Sequence, residues 1–517
     1  MHLPVLTPEQ SAEWDRRAEA SGISLATLMD AAGRAVAQVL ATRYPDRVAG
    51  GVLVAVGPGN NGGDGWVVAR ALHRLDVPVF VAPASSDGSP LNSQMATVAR
   101  AEGVRVVQPD GPWPTVALGV DALLGTGAKG VLRGPVLALV ERLNDLAVPL
   151  VAVDGPTGVD LGSGTTHGAA VQAALSLTFG GFRRGHLLAR DECGDVVVVD
   201  IGHPPPDPAW PSFMMEAELA RLQDRFGARD HKGTRGHIVV VGGDAGMSGA
   251  LRLSCRAAFA AGAGLVHAVA PPATIDLLAA AEPDVQTLRH EFATPLAPAL
   301  VRLLEGSDAV VIGPGLGRGE SRLDFVSDVM RHAPSVVLDA DALNAFAGDP
   351  ARLKTLSAGR MVVLTPHPGE FRRLFPAQAD GAECDPWSAA AAASAAVGCT
   401  VLLKGVPTVV ASSVAPPLTV AAGNPGLATG GSGDILSGLV GTLLVQLQHP
   451  GVAAAAGAEA LGRAADLAAR RVTARGMRPM DVVAALPDLW RVWEALRQVR
   501  PVARPPILLE LEAPQRW

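Results

Sequence analysis

The sequence predicts a two-domain α/β protein, each domain built on a mainly parallel sheet. Three observations predict it. Short apolar runs alternate with helix-period segments along the whole chain, as in doubly wound sheets. Run after run ends in glycine, asparagine or aspartate, where ligand sites of such sheets form. A proline-rich stretch, 203–211 (HPPPDPAWP), interrupts this pattern, which then restarts. The predicted domains are 1–212 and 213–500, with a proline-rich, loosely held tail at 501–517.

Composition narrows the function classes. At 517 residues the chain exceeds one ordinary core. It is 48% hydrophobic and 18% charged, a globular balance. A net charge of −7 gives no footing for a nucleic-acid or membrane partner. Cys193, Cys255, Cys384 and Cys399 form no CxxC pair, which argues for free thiols rather than zinc or disulfides. The start, MHLPVLTPEQSAEWDRR, has no apolar signal core, so a cytoplasmic protein is expected. Residues 386–403 read as a helix then a buried strand, not a span.

In the first domain, 7–42 reads as helical throughout. Ser24 is a candidate cap, and Leu25, Leu28, Met29, Ala32, Val36 and Val39 share a face. A strand at 51–56 runs into GPGNNGGDG (57–65), and a helix is expected over 66–75. The spacing is not GxGxxG, so it does not by itself imply a dinucleotide, and a plain turn is the alternative. Strands at 77–82, 117–124 and 150–153 follow, with a further one at 196–201. The strand ends carry polar loops at 60–64, 121–129 and 154–160. In a parallel sheet these loops share one edge and can converge. Amides, carboxylates and a threonine hydroxyl there suit a hydroxylated ligand or a monovalent cation.

The second domain repeats the logic. Strands are expected at 237–241, 309–312, 336–338, 361–364 and 400–403, with a helix at 249–261. The strand ends carry GPGLGRG (313–319), DADALN (339–344), TPHPGEF (365–371) and KGVPT (404–408). Most telling is 424–438, NPGLATGGSGDILSG, a glycine turn opening into a helix. Free amides and the helix dipole there favour phosphate. A carboxylate at that place needs a reason. Asp434 fits a base that deprotonates a hydroxyl attacking a terminal phosphoryl group, with a bare helix cap as the alternative. Lys404 supplies charge, His367 could orient substrate, and Glu370 or Asp339 could hold Mg²⁺ through water.

These motifs carry a family resemblance. NNGGDG, DALLGTG and DGPTG resemble an epimerase domain acting on hydrated nicotinamide nucleotides. GPGLG, DADALN, TPHPGE, KGVPT and GNPGLATGGSGD resemble a nucleotide-dependent NAD(P)H-hydrate dehydratase of the ribokinase-like fold. Together, over about residues 5–495, they resemble the bifunctional NAD(P)H-hydrate repair enzymes. The resemblance implies a Rossmann-like three-layer α/β/α first domain and a ribokinase-like second. It implies that the first interconverts R and S epimers of NADHX and NADPHX, and the second dehydrates the S form with Mg²⁺ and ADP, giving AMP and phosphate. It implies a K⁺ site at Asn61, Asp121 and Thr157. Substrate contacts in the first domain would come from Asn60, Asn61, Gly62, Gly63 and Asp64, from Gly125, Thr126, Gly127, Ala128, Lys129, Gly130 and Val131, and from Asp154. In the second they would come from Ala250, Gly317, His367 and Asp434. Lys404, Gly405, Val406, Pro407, Thr408 and Gly433 would contact the nucleotide. Asp434 and Asp154 are the expected catalytic residues, with Asp121 and Lys129 as further epimerase candidates. A homo-oligomer is implied. DGPTG stands where the family usually has DIPSG, and Thr157 keeps the hydroxyl. A plain small-molecule kinase and a non-enzymatic nucleotide-binding regulator are the competing readings.

Overall fold

A computed structural model describes residues 3–222, 226–319, 321–498 and 506–515. The chain divides into two compact units, Met1–Trp210 with Pro501–Pro514, and Pro211–Arg500 with Gln515–Trp517.

The first unit is a three-layer sandwich. Its strands lie in the order Ile507–Leu511, Asp195–Val199, Leu175–Phe179, Leu150–Val153, Leu118–Ala122, Val52–Val56, Val79–Pro83, Arg105–Val106. All neighbours are parallel except the first pair. Alternation builds two cores on one sheet. Val52, Val54 and Val56 pack with the helices Leu25–Arg43 and Asn60–His73. Leu53 and Ala55 pack on the opposite face with Leu139, Val140 and Leu143 of Gly134–Asn144.

Several sequence expectations are corrected here. The helix expected over 7–42 is two, Pro8–Ala20 and Leu25–Arg43. Gly22, at φ +91°, breaks it, and Ser24 caps the second by accepting from the Thr27 amide at 3.2 Å. The helix expected from residue 66 starts at Asn60, so NNGGDG forms its first turns. Those glycines serve close packing. A Cβ on Gly62 would lie 2.0 Å from the Gly57 carbonyl oxygen, and one on Gly65 2.6 Å from Ala122 Cβ. The strand Leu175–Phe179 was not foreseen. The tail is not loose where it is described: Ile507–Leu511 adds an antiparallel edge strand to Asp195–Val199. Residues 501–505, 516 and 517 of the tail lie outside the described residues.

In the second unit the order is Gln286–Arg289, Leu265–Ala270, His237–Val241, Ala309–Ile312, Ser335–Leu338, Met361–Leu364, Thr400–Leu403. These strands are all parallel. Antiparallel Thr408–Ser412 and Ala415–Val420 continue the sheet. The parallel strands put the motifs at 313–319, 339–344, 365–371 and 404–408 on one carboxyl edge. The buried helix Ser432–Leu447 packs against Ser248–Ala260 through Gly438, whose added Cβ would lie 2.2 Å from the Ser254 carbonyl oxygen. Among the described residues no single helix is long and apolar enough to cross a membrane.

Two candidate active sites at the sheets' carboxyl edges

The first unit holds a cavity of about 510 Å³ at the carboxyl ends of its strands. The three foreseen loops meet there, through Asn60, Asn61 and Asp64, through Gly125–Ala128, and through Asp154. Gly62 and Gly63 point instead into packing: a Cβ on Gly63 would lie 2.6 Å from Met29 Sδ. Lys129 and Val131 are exposed, and with Gly130 they line a neighbouring cavity of about 180 Å³. Lys129 pairs with Glu9 at 3.4 Å.

Asp154 is held in this wall through one carboxylate oxygen. It is 8% exposed, and its backbone takes φ +66°, uncommon for a residue with a Cβ. Its Oδ2 accepts from the Thr126 amide at 2.7 Å and from the Thr126 hydroxyl. Its Oδ1 has no hydrogen-bond partner and lies 3.6 Å from Arg183 Nη2. Asp64, in the same wall, is pushed well above the usual carboxylate range by burial and then by Asp154 and Asp15.

Behind the wall, Asp121 is fully buried. Its carboxylate accepts from the Leu123 amide at 3.1 Å, the Thr157 amide at 2.8 Å and the Thr157 hydroxyl at 2.8 Å. Burial raises it to about 6, against the pull of those hydrogen bonds. Asn61 is buried with both side-chain polar atoms unpartnered. A buried amide with nothing to bind has the chemistry of a cation ligand, and Asp121 with Thr157 offers further oxygens. Among the described residues no group of three or more His, Cys, Asp or Glu could hold a metal.

The second unit's site is built around Lys404. Its Nζ donates to Asp339 Oδ1 at 2.9 Å and lies 3.9 Å from Glu370. Burial acts to lower the Lys404 pKa, but Asp339 and Glu370 outweigh it and the pKa is raised. Thr365 also donates to Asp339, at 2.8 Å. Asp434 stands in the first turn of Ser432–Leu447, behind Gly431 at φ +106°. The first amides of this helix have no intrahelical acceptor. Burial, then the nearby Asp339, pushes Asp434 up to about 7, with Lys404 opposing. Gly433 lies over this cluster: an added Cβ would meet Lys404 Nζ at 3.4 Å and Asp339 Oδ2 at 3.7 Å.

The remaining expected residues surround this centre on their own strand ends. His367 caps Pro368–Leu374, accepting from the Gly369 amide, and sits 3.4 Å from Glu370. Burial raises Glu370. Gly317, at φ +75°, donates its amide to Asp341 at 3.0 Å. Ala250 lies in the first turn of Ser248–Ala260. In 404–408, Gly405 and Val406 are exposed and Pro407 is buried after a cis peptide.

Sequence reasoning missed Asp15, Arg183, His186 and His203. Asp15, Arg183 and His203 line the first cavity, and His186 bonds Asp154 from behind it. The available signal was FRRGH, a cationic cluster right after the apolar run LSLTF. His203, read as linker, stacks on Trp14 at 4.3 Å and bonds Asp15 at 3.0 Å.

Two α/β units, each with a polar site at its sheet's carboxyl edge, define a two-site small-molecule enzyme. The family described as NAD(P)H-hydrate dehydratase matches residues 238–488, and that described as YjeF-related protein N-terminus matches 25–185. The bifunctional NAD(P)H-hydrate repair enzyme Nnr of Escherichia coli (strain K12) is 37% identical over 487 residues, covering 91% of this chain and 90% of the relative. Its namesake in Coxiella burnetii is 34% identical, covering 92% and 96%. Among solved structures, an ADP/ATP-dependent NAD(P)H-hydrate dehydratase from Bacillus subtilis, co-crystallized with ATP/Mg²⁺, is 28% identical with a TM-score of 0.49, covering 55% of this chain and 98% of that one. The chain belongs to the bifunctional NAD(P)H-hydrate repair enzymes, with an epimerase unit followed by a dehydratase unit.

Proposed function

We propose that Asp434 is the base of the dehydratase and ADP its phosphoryl donor. The observation that carries this is a titratable carboxyl beside Lys404 at the amide-rich start of a helix. A base works best with a pKa near the working pH, and about 7 meets that. Asp434 takes the proton of the ring hydroxyl of S-NADHX or S-NADPHX. The oxygen bonds the terminal phosphorus as the bond to the AMP leaving group breaks. Loss of a ring proton and of phosphate then restores the double bond. The balance is hydrate plus ADP giving NAD(P)H, AMP and phosphate. Lys404 and the amides around Gly433 hold the phosphates, with Gly405, Val406, Pro407 and Thr408 beside the nucleotide. Ala250, Gly317 and His367 flank the hydrate. Asp339 and Glu370 would hold Mg²⁺ through water, where it would neutralise phosphate charge.

In the first unit we assign Asp154 as the acid–base group. Its unpartnered Oδ1 accepts the proton of the hydroxyl on the carbinolamine carbon. The carbon–nitrogen bond breaks as the carbonyl forms, and its electron pair moves onto the ring nitrogen. Reclosure on the other face returns the proton. Asn61, Asp121 and Thr157 would hold K⁺, supplying charge balance behind this wall. We extend the reading to a homo-oligomer, as the family resemblance implies, in the cytoplasm, as the polar N-terminal start suggests. Purified protein given S-NADHX and ADP is expected to raise NADH absorbance with AMP and phosphate in equal amounts. A stable phosphorylated product without NADH would favour a plain kinase and end the proposal.

A further inference from the structure

Arg183 touches Asp154 but has no part in the chemistry above. It is 4% exposed, and its Nε and Nη1 donors are spent inside the protein. Nε donates to Thr126 Oγ1 at 3.2 Å, and Nη1 to the Phe179 and Gly181 carbonyls at 3.3 and 3.1 Å. Nη2 lies 3.6 Å from Asp154 Oδ1. Thr126 relays the contact, since its hydroxyl accepts from Arg183 and donates to Asp154 Oδ2.

The backbone closes the circuit. The Arg183 amide donates to His186 Nδ1 at 3.0 Å, which leaves the ring proton on Nε2. Nε2 then donates to the Asp154 carbonyl at 2.6 Å. Burial lowers His186 to about 4, so the neutral ring persists at neutral pH. The Asp154 amide donates to Leu177 at 2.7 Å. Side chain and main chain of Asp154 are thus both fixed from the segment 183–186. That grip maintains a left-handed backbone that an aspartate does not favour on its own.

We propose that Arg183 is a positioning residue of the epimerase unit, aiming the Asp154 carboxylate at the substrate. This rests on the assignment of Asp154 as acid–base group. Arg183 is no hook for the substrate's phosphates, because its guanidinium is buried and its Nε and Nη1 donors are engaged.

The test measures R-to-S interconversion by Arg183→Met, Arg183→Lys and Asp154→Asn, with and without added ethylguanidinium. Thermal unfolding reports that the first unit of each variant is folded, and dehydration of pure S epimer that the second is. Arg183→Met is expected to lose about tenfold to a hundredfold in kcat, the scale set by misplacing a reacting group by about 1 Å. Its KM should change little. Ethylguanidinium should restore part of the rate. Arg183→Lys should keep more of the wild-type kcat than the Met variant, and it carries the test if the Met variant does not fold. A raised KM at unchanged kcat would make Arg183 a substrate-binding group. A lost kcat with no recovery by ethylguanidinium or by the Lys variant would make it a structural prop. Either overturns the proposal. If Asp154→Asn epimerises at the wild-type rate, the assignment of Asp154 fails, whatever Arg183 does.

Discussion

Replacing Asp434 by Asn is expected to abolish NAD(P)H formation and to stabilise the second unit above pH 7. The carboxyl moves from 3.8 to about 7 on folding, chiefly by burial and then by Asp339. Each pKa unit corresponds to about 1.4 kcal/mol. The folded form therefore gives up as much as about 4 kcal/mol once both states are ionised, above about pH 8. Relaxation around Lys404 reduces this, and about 2 kcal/mol is the expected gain. The sign follows from a raised pKa. Stability from this group is full at low pH and is lost as pH rises from about 4 through about 7. Asparagine keeps the shape and does not titrate. Urea unfolding, followed by hydrogen exchange of the strands around His237–Val241, measures it at pH 5 and pH 8. The variant should gain on the wild type as pH rises. A variant less stable at pH 8, or a difference independent of pH, would refute the reasoning.

Other outcomes follow from the same geometry. The dehydration rate should rise with pH to a half-maximum near 7, since the base acts ionised, and fall about tenfold per unit well below it. A stopped-flow pH series for NADH release checks this. Asn61→Ala should weaken any potassium activation of epimerisation while leaving S-epimer dehydration unchanged, as a potassium titration of both rates would show. Gly57→Ala should destabilise the first unit by about 1–3 kcal/mol or more, the cost of overpacking, because its Cβ would fall 1.8 Å from the Leu123 carbonyl oxygen. Thermal unfolding reads that loss.

The strands and their polar ends were legible because parallel strands buried on both faces write themselves as apolar runs, such as VLVAV and HIVVV. The convergence of residues 60–64, 125–128 and 154 followed from topology alone. What the sequence hid depended on contacts distant along the chain. Arg183 and His186 matter through Asp154, about thirty positions earlier. His203 looked like the start of a linker, and only its stacking on Trp14 turns it into cavity wall. ILLEL looked like loose tail because a strand added at a sheet edge needs no local signal beyond its apolar residues. The helix start at Asn60 was displaced because glycine reads as a breaker, whereas here a missing Cβ lets helix and sheet approach.

The most direct measurement gives the purified chain, its Asp154→Asn form and its Asp434→Asn form the same mixture of R- and S-NADHX with ADP, and follows both epimers by chromatography. The wild type should clear both to NADH. Asp154→Asn should stop once S is spent and leave R behind. Asp434→Asn should equilibrate the epimers and make no NADH. Full clearance by Asp154→Asn at the wild-type rate, or NADH from Asp434→Asn, would contradict the division of labour between the two sites.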